Sequence, residues 1–369
     1  MTGSAGVLSE PKPVNRYSTF VGRGPSKVIH WEHWSNPDAA TYITGIDYYV
    51  QPRSCIRRLN ALYPALGLPE PESDTPLPRI DEQAGRDRWG EVLRDSWQQD
   101  SARNRFGSRE AMLAFSPLAQ GDFTGWNVVV DSGGGDFRSV DVIYERYRRH
   151  YPAEWGDRAP EGSDASVGFY NTLFMWPLLV FGYQNFLENC LDPRFERILG
   201  EFAEINRRVF KAFARLPVNF VVCHDDIVTT KGPICSPGWM RKYIFPRYEE
   251  FWSILRASGK EVIFMVDGCV DAFVDDLMAC GARGIISEPV TDYRAIARRY
   301  DNPFIAGEGD CRVLMRNDPD EIRVMVTHMV ETARMSGGYM MCIGNHIPYN
   351  VPPEAIKLYL DLAHEWAYR

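Results

Sequence analysis

Short apolar runs alternate with longer amphipathic segments throughout the second half of the chain. Residues 218–223, 261–266, 284–286, 303–306 and 339–343 are apolar runs of strand length. The segments between them repeat apolar residues at helical spacing. Ser236-Pro237, for example, predicts the start of a helix that continues to about Ser258 and stops at Gly259. Strands that alternate with helices in this way predict a parallel sheet.

Three further runs in the first half, residues 28–34, 126–130 and 167–172, bring the number of predicted strands to eight. Eight strands favour a closed (β/α)8 TIM-type barrel over an open doubly wound sheet. Residues 52–119 are polar and rich in proline and arginine, and they predict helices and loops inserted after the first strand. We therefore expect a single α/β barrel domain over residues 1–369, with residues 1–27 as an N-terminal extension.

Composition and charge restrict the class of protein. The chain is 45% hydrophobic, and its net charge of −8 comes from interspersed acids and bases, so no basic stripe is available for nucleic acid. Residues 165–187 lack charge, but asparagine, proline and glycine interrupt them, which favours a buried strand and helix over a membrane span. The start of the chain lacks a signal-peptide pattern. The eight cysteines form no CxxC pair, which is typical of reduced thiols in a cytoplasmic protein.

Polar side chains follow the predicted strands at the points where they end. In a barrel these ends meet at one mouth, and four consecutive strands there end in a carboxylate: Asp226, Asp267, Glu288 and Glu308. Crowded carboxylates repel one another unless a metal neutralises them or one stays protonated. The pattern therefore predicts a divalent metal at the mouth.

Each of these residues also has an ordinary structural interpretation. An acid at a strand end is often a helix cap or a partner of arginine, and we expect such a role for Asp225 or Asp226. His30 and His33 lie among tryptophans, where pocket-wall or core positions are common. The glycine-rich residues 131–136 lack both the P-loop lysine and the GxGxxG spacing, so they predict a loop.

Several segments resemble the uroporphyrinogen decarboxylase superfamily in the right order. The main one is residues 224–246, HDDIVTTKGPICSPGWMRKYIFP, which resembles a "DD–GP–SP–P" block. Asp267-Gly268 and the closing residues 337–348 with 351–354 resemble two further blocks, and residues 44–47 and 87–90 resemble N-terminal features of a methyltransferase branch. The resemblance implies an α/β barrel with one of two activities: cofactor-free decarboxylation, or zinc-assisted methyl transfer to and from corrinoid proteins.

The methyltransferase branch is the better match, although its zinc motif is altered. Decarboxylases carry an "RQAGR" loop directly after the first strand, whereas Gln83-Ala-Gly-Arg86 lies far beyond it in a polar segment. Thiol-directed methyltransferases carry a His-x-Cys pair and a second cysteine at positions that correspond to Met265, Asp267 and Asn345 here. The resemblance therefore implies an oxygen- and nitrogen-rich zinc site of Asp267, Glu308 and His346, with Cys269 and Cys311 in reserve.

The sequence thus predicts a methyltransferase that moves a methyl group from a small methylated molecule, such as a methoxylated aromatic, to the corrinoid of a separate protein. Zinc would stabilise the departing oxygen, and Asp226 or Glu288 would donate a proton or orient the substrate. We expect the substrate to be bound by residues at the ends of the first, third, fourth and eighth predicted strands: His30, Trp31, His33, Trp34, Phe169, His224 and Asn345.

Two alternatives remain open. A cofactor-free decarboxylase of uroporphyrinogen or a related acid predicts arginines that converge in the pocket. A non-catalytic barrel that binds a ligand or partner would explain the missing His-x-Cys motif. The methyl donor, the final acceptor and the oligomeric state, including a homodimer, are left open by the sequence.

Overall fold

The computed structural model describes residues 29–34, 36–64, 66, 68, 70–79, 106–126, 135–150, 166–336 and 338–367. The predicted extension (1–27), most of the predicted strand 126–130 and most of the glycine-rich loop lie outside these residues. The strands are β1 Ile29–His30, β2 Ser166–Tyr170, β3 Phe220–His224, β4 Val228–Thr229, β5 Gly232–Pro233, β6 Glu261–Met265, β7 Gly284–Ile286, β8 Phe304–Ala306 and β9 Gly338–Met341.

The helices before β3 are α1 Pro37–Thr44, α2 Pro52–Leu62, α3 Arg109–Ala114, α4 Pro117–Gln120, α5 Val140–His150, α6 Met175–Phe181, α7 Tyr183–Asn189 and α8 Pro193–Ala214. Those after it are α9 Pro237–Tyr243, α10 Phe245–Ala257, α11 Val274–Cys280, α12 Tyr293–Arg299, α13 Cys311–Arg316, α14 Pro319–Met335 and α15 Pro353–Ala367. A 3-10 turn, Asp271–Phe273, precedes α11.

In the described part of the chain, seven parallel strands form one sheet in the order β1-β9-β8-β7-β6-β3-β2. From β2 to β9, each strand of this sheet pairs with the next strand of the sheet along the chain, and β9, the last, pairs with β1, the first. This is the strand order of a TIM-type (β/α)8 barrel, so the predicted fold class is confirmed. The small antiparallel pair β4–β5 projects from the end of β3.

Successive residues of each strand face opposite sides of the barrel wall. One set forms a small inner cluster inside the barrel: Phe220, Val222, Ile263, Phe304, Ala306, Met340 and Cys342. The alternate residues, such as Val221, Phe264 and Ile305, join the large core beneath the outer helices. This alternation decides which polar residues at the strand ends can reach the mouth.

The helix predicted from Ser236 to Ser258 is two helices, so the prediction of one continuous helix was wrong. Ser236 caps α9 through a hydrogen bond from the backbone N–H of Trp239, as expected. The chain then breaks at Ile244, because Pro246 in the first turn of α10 has no N–H to continue the ladder.

The described part of the predicted insertion packs on the barrel. Cys55, Ile56 and Leu59 of α2 are buried in the common core. Helix α1, which precedes the predicted insertion, lies against α15. The uncharged stretch becomes β2, α6 and α7, and Trp176 and Phe181 of α6 are fully buried within the protein. Of the helices that the structure describes, none has the length and apolar character needed to cross a membrane.

Candidate active site

The centre of the candidate site lies where β3 and β6 end side by side. In the parallel register His224 pairs with Met265. Phe220 and Val222 face the barrel interior, so the alternation carries His224 to the same side, above that inner cluster. Asp226 and Asp267 each lie two residues beyond a paired position, and they follow on the same side. Local strand geometry therefore brings one histidine and two acids together at the mouth.

These three side chains form a compact group, in which His224 and Asp226 are buried and Asp267 is half-buried. The Nε2 atom of His224 lies 2.9 Å from Oδ1 of Asp226, and the backbone N–H of Asp267 donates to the same oxygen at 2.9 Å. One ligand atom from each of His224, Asp226 and Asp267 lies within 4.8 Å of the other two. Among the residues that the structure describes, no other three His, Cys, Asp or Glu side chains meet that condition.

The group carries excess negative charge. Burial and the neighbouring Asp226 raise the pKa of Asp267 to about 7, while His224 opposes the shift. Burial alone would lower the pKa of His224, but Asp226, Asp267 and Asp225 raise it overall. Within the described ranges, no lysine or arginine lies at ion-pair distance from Asp226, Asp267 or Glu288. Two acids and an imidazole in this arrangement are suited to binding a cation.

Asn345 extends the group toward the end of β9. Its backbone is left-handed, with φ of 66°, and its Nδ2 donates to Oδ2 of Asp267 at 3.3 Å. Its Oδ1 lies 2.8 Å from Nδ1 of His346. Burial raises the pKa of Glu288, a hydrogen bond with Asn345 opposes the shift, and Asp226 adds to it. Asn345 thus connects the His224–Asp226–Asp267 group with Glu288 and His346.

An imidazole and indole row continues from this point to β1. The ring centroids of His346 and His33 are 5.8 Å apart, and His33 stacks on Trp31 with centroids 6.2 Å apart. Burial and the neighbouring His33 lower the pKa of His346. Trp31 is 36% exposed, so the row ends at the protein surface. It offers an aromatic wall beside the acidic group.

Glu308, a predicted metal ligand, faces away from the mouth. Its carboxylate accepts hydrogen bonds from Thr332 at 2.8 Å and Tyr339 at 2.6 Å, and it lies 3.1 Å from Nδ1 of His328. Thr332 and His328 belong to α14, in the outer layer. The structure therefore does not gather Asp267, Glu308 and His346 into one ligand group.

Gly307 explains why strand alternation misplaces Glu308. Phe304 and Ala306 face the interior, so regular alternation would direct Glu308 inward as well. Gly307 instead has φ of +95°, and a Cβ atom there would lie 1.8 Å from the carbonyl oxygen of Ser287. The left-handed residue rotates the chain and turns Glu308 toward α14.

His30 is likewise placed behind the barrel wall. It lies 3.0 Å from Glu32, which accepts a hydrogen bond from Tyr359 of α15 at 2.5 Å. His30 is 1% exposed. Its position in the helix layer argues against the substrate contact that the sequence suggested. Trp34 packs against the main core, and the structure describes only the backbone of Phe169, in β2.

Asp225 has the structural role that was expected for one of the two acids. Its side chain accepts hydrogen bonds from the backbone N–H groups of Leu173, Phe174 and Met175 at 2.6–2.7 Å, at the start of α6. Tyr248 also donates to it at 2.6 Å. This buried carboxylate anchors the helix after β2 to the end of β3.

The predicted roles of two residues need revision in light of this geometry. His224 was expected to bind substrate and Asp226 to act on protons, yet both are in the group suited to a metal. A signal was present in the sequence: His224 and Asp226 are two residues apart at a strand end, next to the strand that leads to Asp267. One nitrogen and two carboxylate donors suit a zinc-type site, and three protein ligands leave a position for substrate.

Comparisons with known proteins agree with this barrel. The family model described as Uroporphyrinogen decarboxylase (URO-D) matches residues 182–366. A solved structure, "methyltransferase from Methanosarcina mazei", has a TM-score of 0.53 and 12% identity, over 95% of this chain and 99% of its own. At that identity the likeness shows the fold alone. A xylose isomerase-like TIM barrel protein from Mycobacterium smegmatis, solved with magnesium, has a TM-score of only 0.28 and 11% identity over 65% of this chain and 94% of its own. None of the curated protein sequences matches this chain.

Proposed function

The chain belongs to the uroporphyrinogen decarboxylase family, and from that premise we propose that it is a methyltransferase. The methyl donor in this proposal is a small methylated molecule, with methoxylated aromatics as the leading class. The acceptor is the corrinoid of a separate protein that approaches the barrel mouth.

The observation that carries the proposal is the compact His224–Asp226–Asp267 group at the mouth. We assign these three residues as zinc ligands, in place of the set with Glu308 and His346. Zinc bound there would act as a Lewis acid that makes an ether oxygen a better leaving group. The excess negative charge of the three neighbouring acids, Asp226, Asp267 and Glu288, favours a cation at this position over an anionic substrate.

The chain's own residues supply orientation and a proton. When the methyl group leaves an ether oxygen, that oxygen keeps the bonding electrons and then needs a proton. Glu288 is the proposed donor, because its raised pKa increases the fraction of molecules in which its carboxyl group is protonated. Asn345 would hold Asp267 and Glu288 in place, and the row of Trp31, His33 and His346 would contact an aromatic ring of the donor.

A decarboxylase is less well supported by the same geometry. Substrates with several carboxylates need positive groups in the pocket, whereas the described mouth presents three acids. Arg312, the arginine that acts electrostatically on Glu288, has its guanidinium paired with Asp310 at 2.9 Å. Full activity on an acid substrate after treatment with a chelator would support the decarboxylase.

The decisive experiment mixes the protein with a reduced corrinoid protein and a panel of methoxylated aromatics. Methyl transfer would change the absorption spectrum of the corrinoid and release the matching phenol in equal amount. We expect this signal with at least one donor and expect a chelator to abolish it. An unchanged corrinoid spectrum across the panel, with metal-loaded protein, would overturn the proposal.

Metal analysis of three variants tests the ligand set. Asp267→Asn and His224→Gln should each lower the bound zinc at least tenfold, because each removes a ligand. Glu308→Gln, the matched control, should keep the wild-type zinc content, because its carboxylate is bonded to α14 and β9. If Glu308→Gln lost its zinc and His224→Gln kept it, the result would instead support the ligand set inferred from the sequence, Asp267, Glu308 and His346.

A further inference from the structure

Two buried hydroxyl groups connect the chain after β6 with the chain after β7. The Oγ atom of Ser287 donates to the carbonyl oxygen of Gly268 at 2.8 Å. The Oγ1 atom of Thr291 lies 3.3 Å from the same carbonyl oxygen and 3.2 Å from the Ser287 hydroxyl. Thr291 also accepts a hydrogen bond from the backbone N–H of Val270 at 3.2 Å. Both side chains are buried, so water does not compete for these contacts.

The two hydroxyls stand between two acids of the candidate site. Gly268 directly follows Asp267, and Ser287 directly precedes Glu288. The backbone N–H of Thr291 donates to the carbonyl oxygen of Glu288 at 3.1 Å, which closes the turn after β7. The segment with Asp267 and the turn with Glu288 are therefore joined through the same pair of side chains.

The peptide group after Gly268 needs these contacts to fix its orientation. Gly268 has φ of +113°, and a Cβ atom there would lie 2.6 Å from the carbonyl carbon of Thr229. Because glycine allows many backbone orientations, hydrogen bonds must select one of them. The N–H of Cys269 donates to the carbonyl oxygen of Thr229 at 2.9 Å, and the hydroxyls hold the carbonyl oxygen at the other side of this peptide group.

We propose that Ser287 and Thr291 are positioning residues that hold Asp267 and Glu288 at a fixed separation. The inference rests on the proposed function, in which Asp267 binds zinc and Glu288 protonates the departing oxygen. Ser287 and Thr291 act on Asp267 through the backbone of Gly268, and on Glu288 through the turn. Partners that orient metal ligands typically change metal affinity or activity by roughly 10- to 100-fold when they are removed.

The zinc dissociation constant tests the effect on Asp267. Ser287→Ala removes one hydroxyl, Thr291→Val removes the other with its shape kept, and Thr291→Ser keeps that hydroxyl. In competition with a chelating dye, we expect Ser287→Ala and Thr291→Val to bind zinc about tenfold more weakly than the wild type. Thr291→Ser should stay within about twofold of the wild type, because the hydroxyl and not the methyl group carries the effect.

Ser336→Ala is the matched control, because it removes a buried serine at the opposite end of the barrel. The Oγ atom of Ser336 lies 2.6 Å from the carbonyl oxygen of Pro303, before β8, and 2.8 Å from that of Gly338, at the start of β9. We expect Ser336→Ala and Ser287→Ala to lower the Tm of the metal-free protein by similar amounts, since each loses buried hydrogen bonds of one hydroxyl. Only Ser287→Ala should weaken zinc binding.

Methyl transfer at saturating zinc tests the effect on Glu288. We expect Ser287→Ala to lower kcat about tenfold and to leave KM for the methyl donor nearly unchanged, because a displaced proton donor affects the reaction and not the aromatic wall. The proposal is overturned if Ser287→Ala and Thr291→Val match Ser336→Ala in both zinc affinity and kcat. A wild type that binds zinc but transfers no methyl group would overturn the proposed function, whereas the loss of zinc affinity in both variants would still support the positioning of Asp267.

Discussion

Glu308 is a buried carboxylate whose hydrogen-bond partners are all outside the mouth. Burial raises its pKa, against the hydrogen bonds of Tyr339 and Thr332 and the charges of His328 and Arg294. Because the folded-state pKa is higher than the unfolded one, the folded protein binds the proton more tightly, and this group favours folding at low pH. The contribution of Glu308 to the free energy of unfolding is lost as the pH rises from the unfolded pKa of Glu, roughly 4.3, through the raised folded pKa.

We therefore expect Glu308→Gln to change stability in a pH-dependent way. The wild type should lose free energy of unfolding relative to the variant as the pH rises through that window. At acid pH the variant should be less stable by about 1 kcal/mol, the net value of one hydrogen bond. Urea titrations of both proteins at a series of pH values measure the difference. A difference that stays constant with pH would show that the Glu308 pKa is not raised.

Asp225 allows a second prediction at a single residue. Asp225→Asn keeps the shape but replaces an acceptor-only carboxylate, which holds three N–H groups and one hydroxyl, by an amide. We expect a loss of about 2–3 kcal/mol in the free energy of unfolding, because buried hydrogen bonds to a charged group are strong. The matched control is Asp292→Asn at the exposed cap of α12, where Asn caps nearly as well and about 0.5 kcal/mol or less should be lost. Equal losses in urea denaturation would contradict a special role for Asp225.

Single residues also set the limit of what could be predicted from the sequence. The order of the barrel strands indicates which strand ends are neighbours, so the proximity of Asp226, after β3, to Asp267, after β6, could be predicted from the sequence. The direction of Glu308 could not be predicted, because it depends on the φ angle of Gly307, and glycine allows both signs of φ. The side of the barrel wall that His30 faces could not be predicted either. Strand β1 has only two residues, so its alternation alone does not show which of them faces the helices.

At the scale of elements, the turn after β8 decides which side chains reach the mouth. Gly307→Ala places a Cβ atom 1.8 Å from the Ser287 carbonyl oxygen in a left-handed backbone. We expect a loss of roughly 2–4 kcal/mol, from backbone strain and from the displacement of β7 against β8. Gly259→Ala is the matched control: φ is also positive, at +80°, but a Cβ atom there meets nothing within 4 Å.

The control should lose only about 1 kcal/mol, the cost of a left-handed alanine at a helix end. Chemical denaturation at neutral pH measures both variants against the wild type. If Gly307→Ala were no worse than Gly259→Ala, the close approach of β7 and β8 at this turn would not be rigid, and the direction of Glu308 would need another cause.

The whole molecule shows which predictions depend on long-range packing. The parallel order was predictable because the seven described strands of the sheet follow one another around the barrel, with helices between them. Pro246 in the sequence indicated the break between α9 and α10. The amphipathic pattern continues across this break, so it predicted one helix instead of two. The prediction of one domain over residues 1–369 stays a prediction, although the described helices α1 and α2 share the barrel's core.

Zinc should stabilise the whole barrel if the mouth binds it as proposed. A ligand that binds only the folded state adds about 2.7 kcal/mol at a concentration of one hundred times its Kd. For a chain of 369 residues this is a rise in Tm of about 4 °C. We expect this shift when zinc is added to chelator-treated protein, and expect it in Glu308→Gln as well. Asp267→Asn should show no shift.

The apo form of Asp267→Asn should also melt no lower than the apo wild type, because the substitution removes one of three crowded acids. This comparison separates a lost ligand from a damaged fold. Zinc can also bind the eight thiols, so the variant that lacks a mouth ligand is the necessary control. An equal rise in Tm for Asp267→Asn and the wild type would place the zinc on cysteines elsewhere, and the acids at the mouth would then contact the substrate directly.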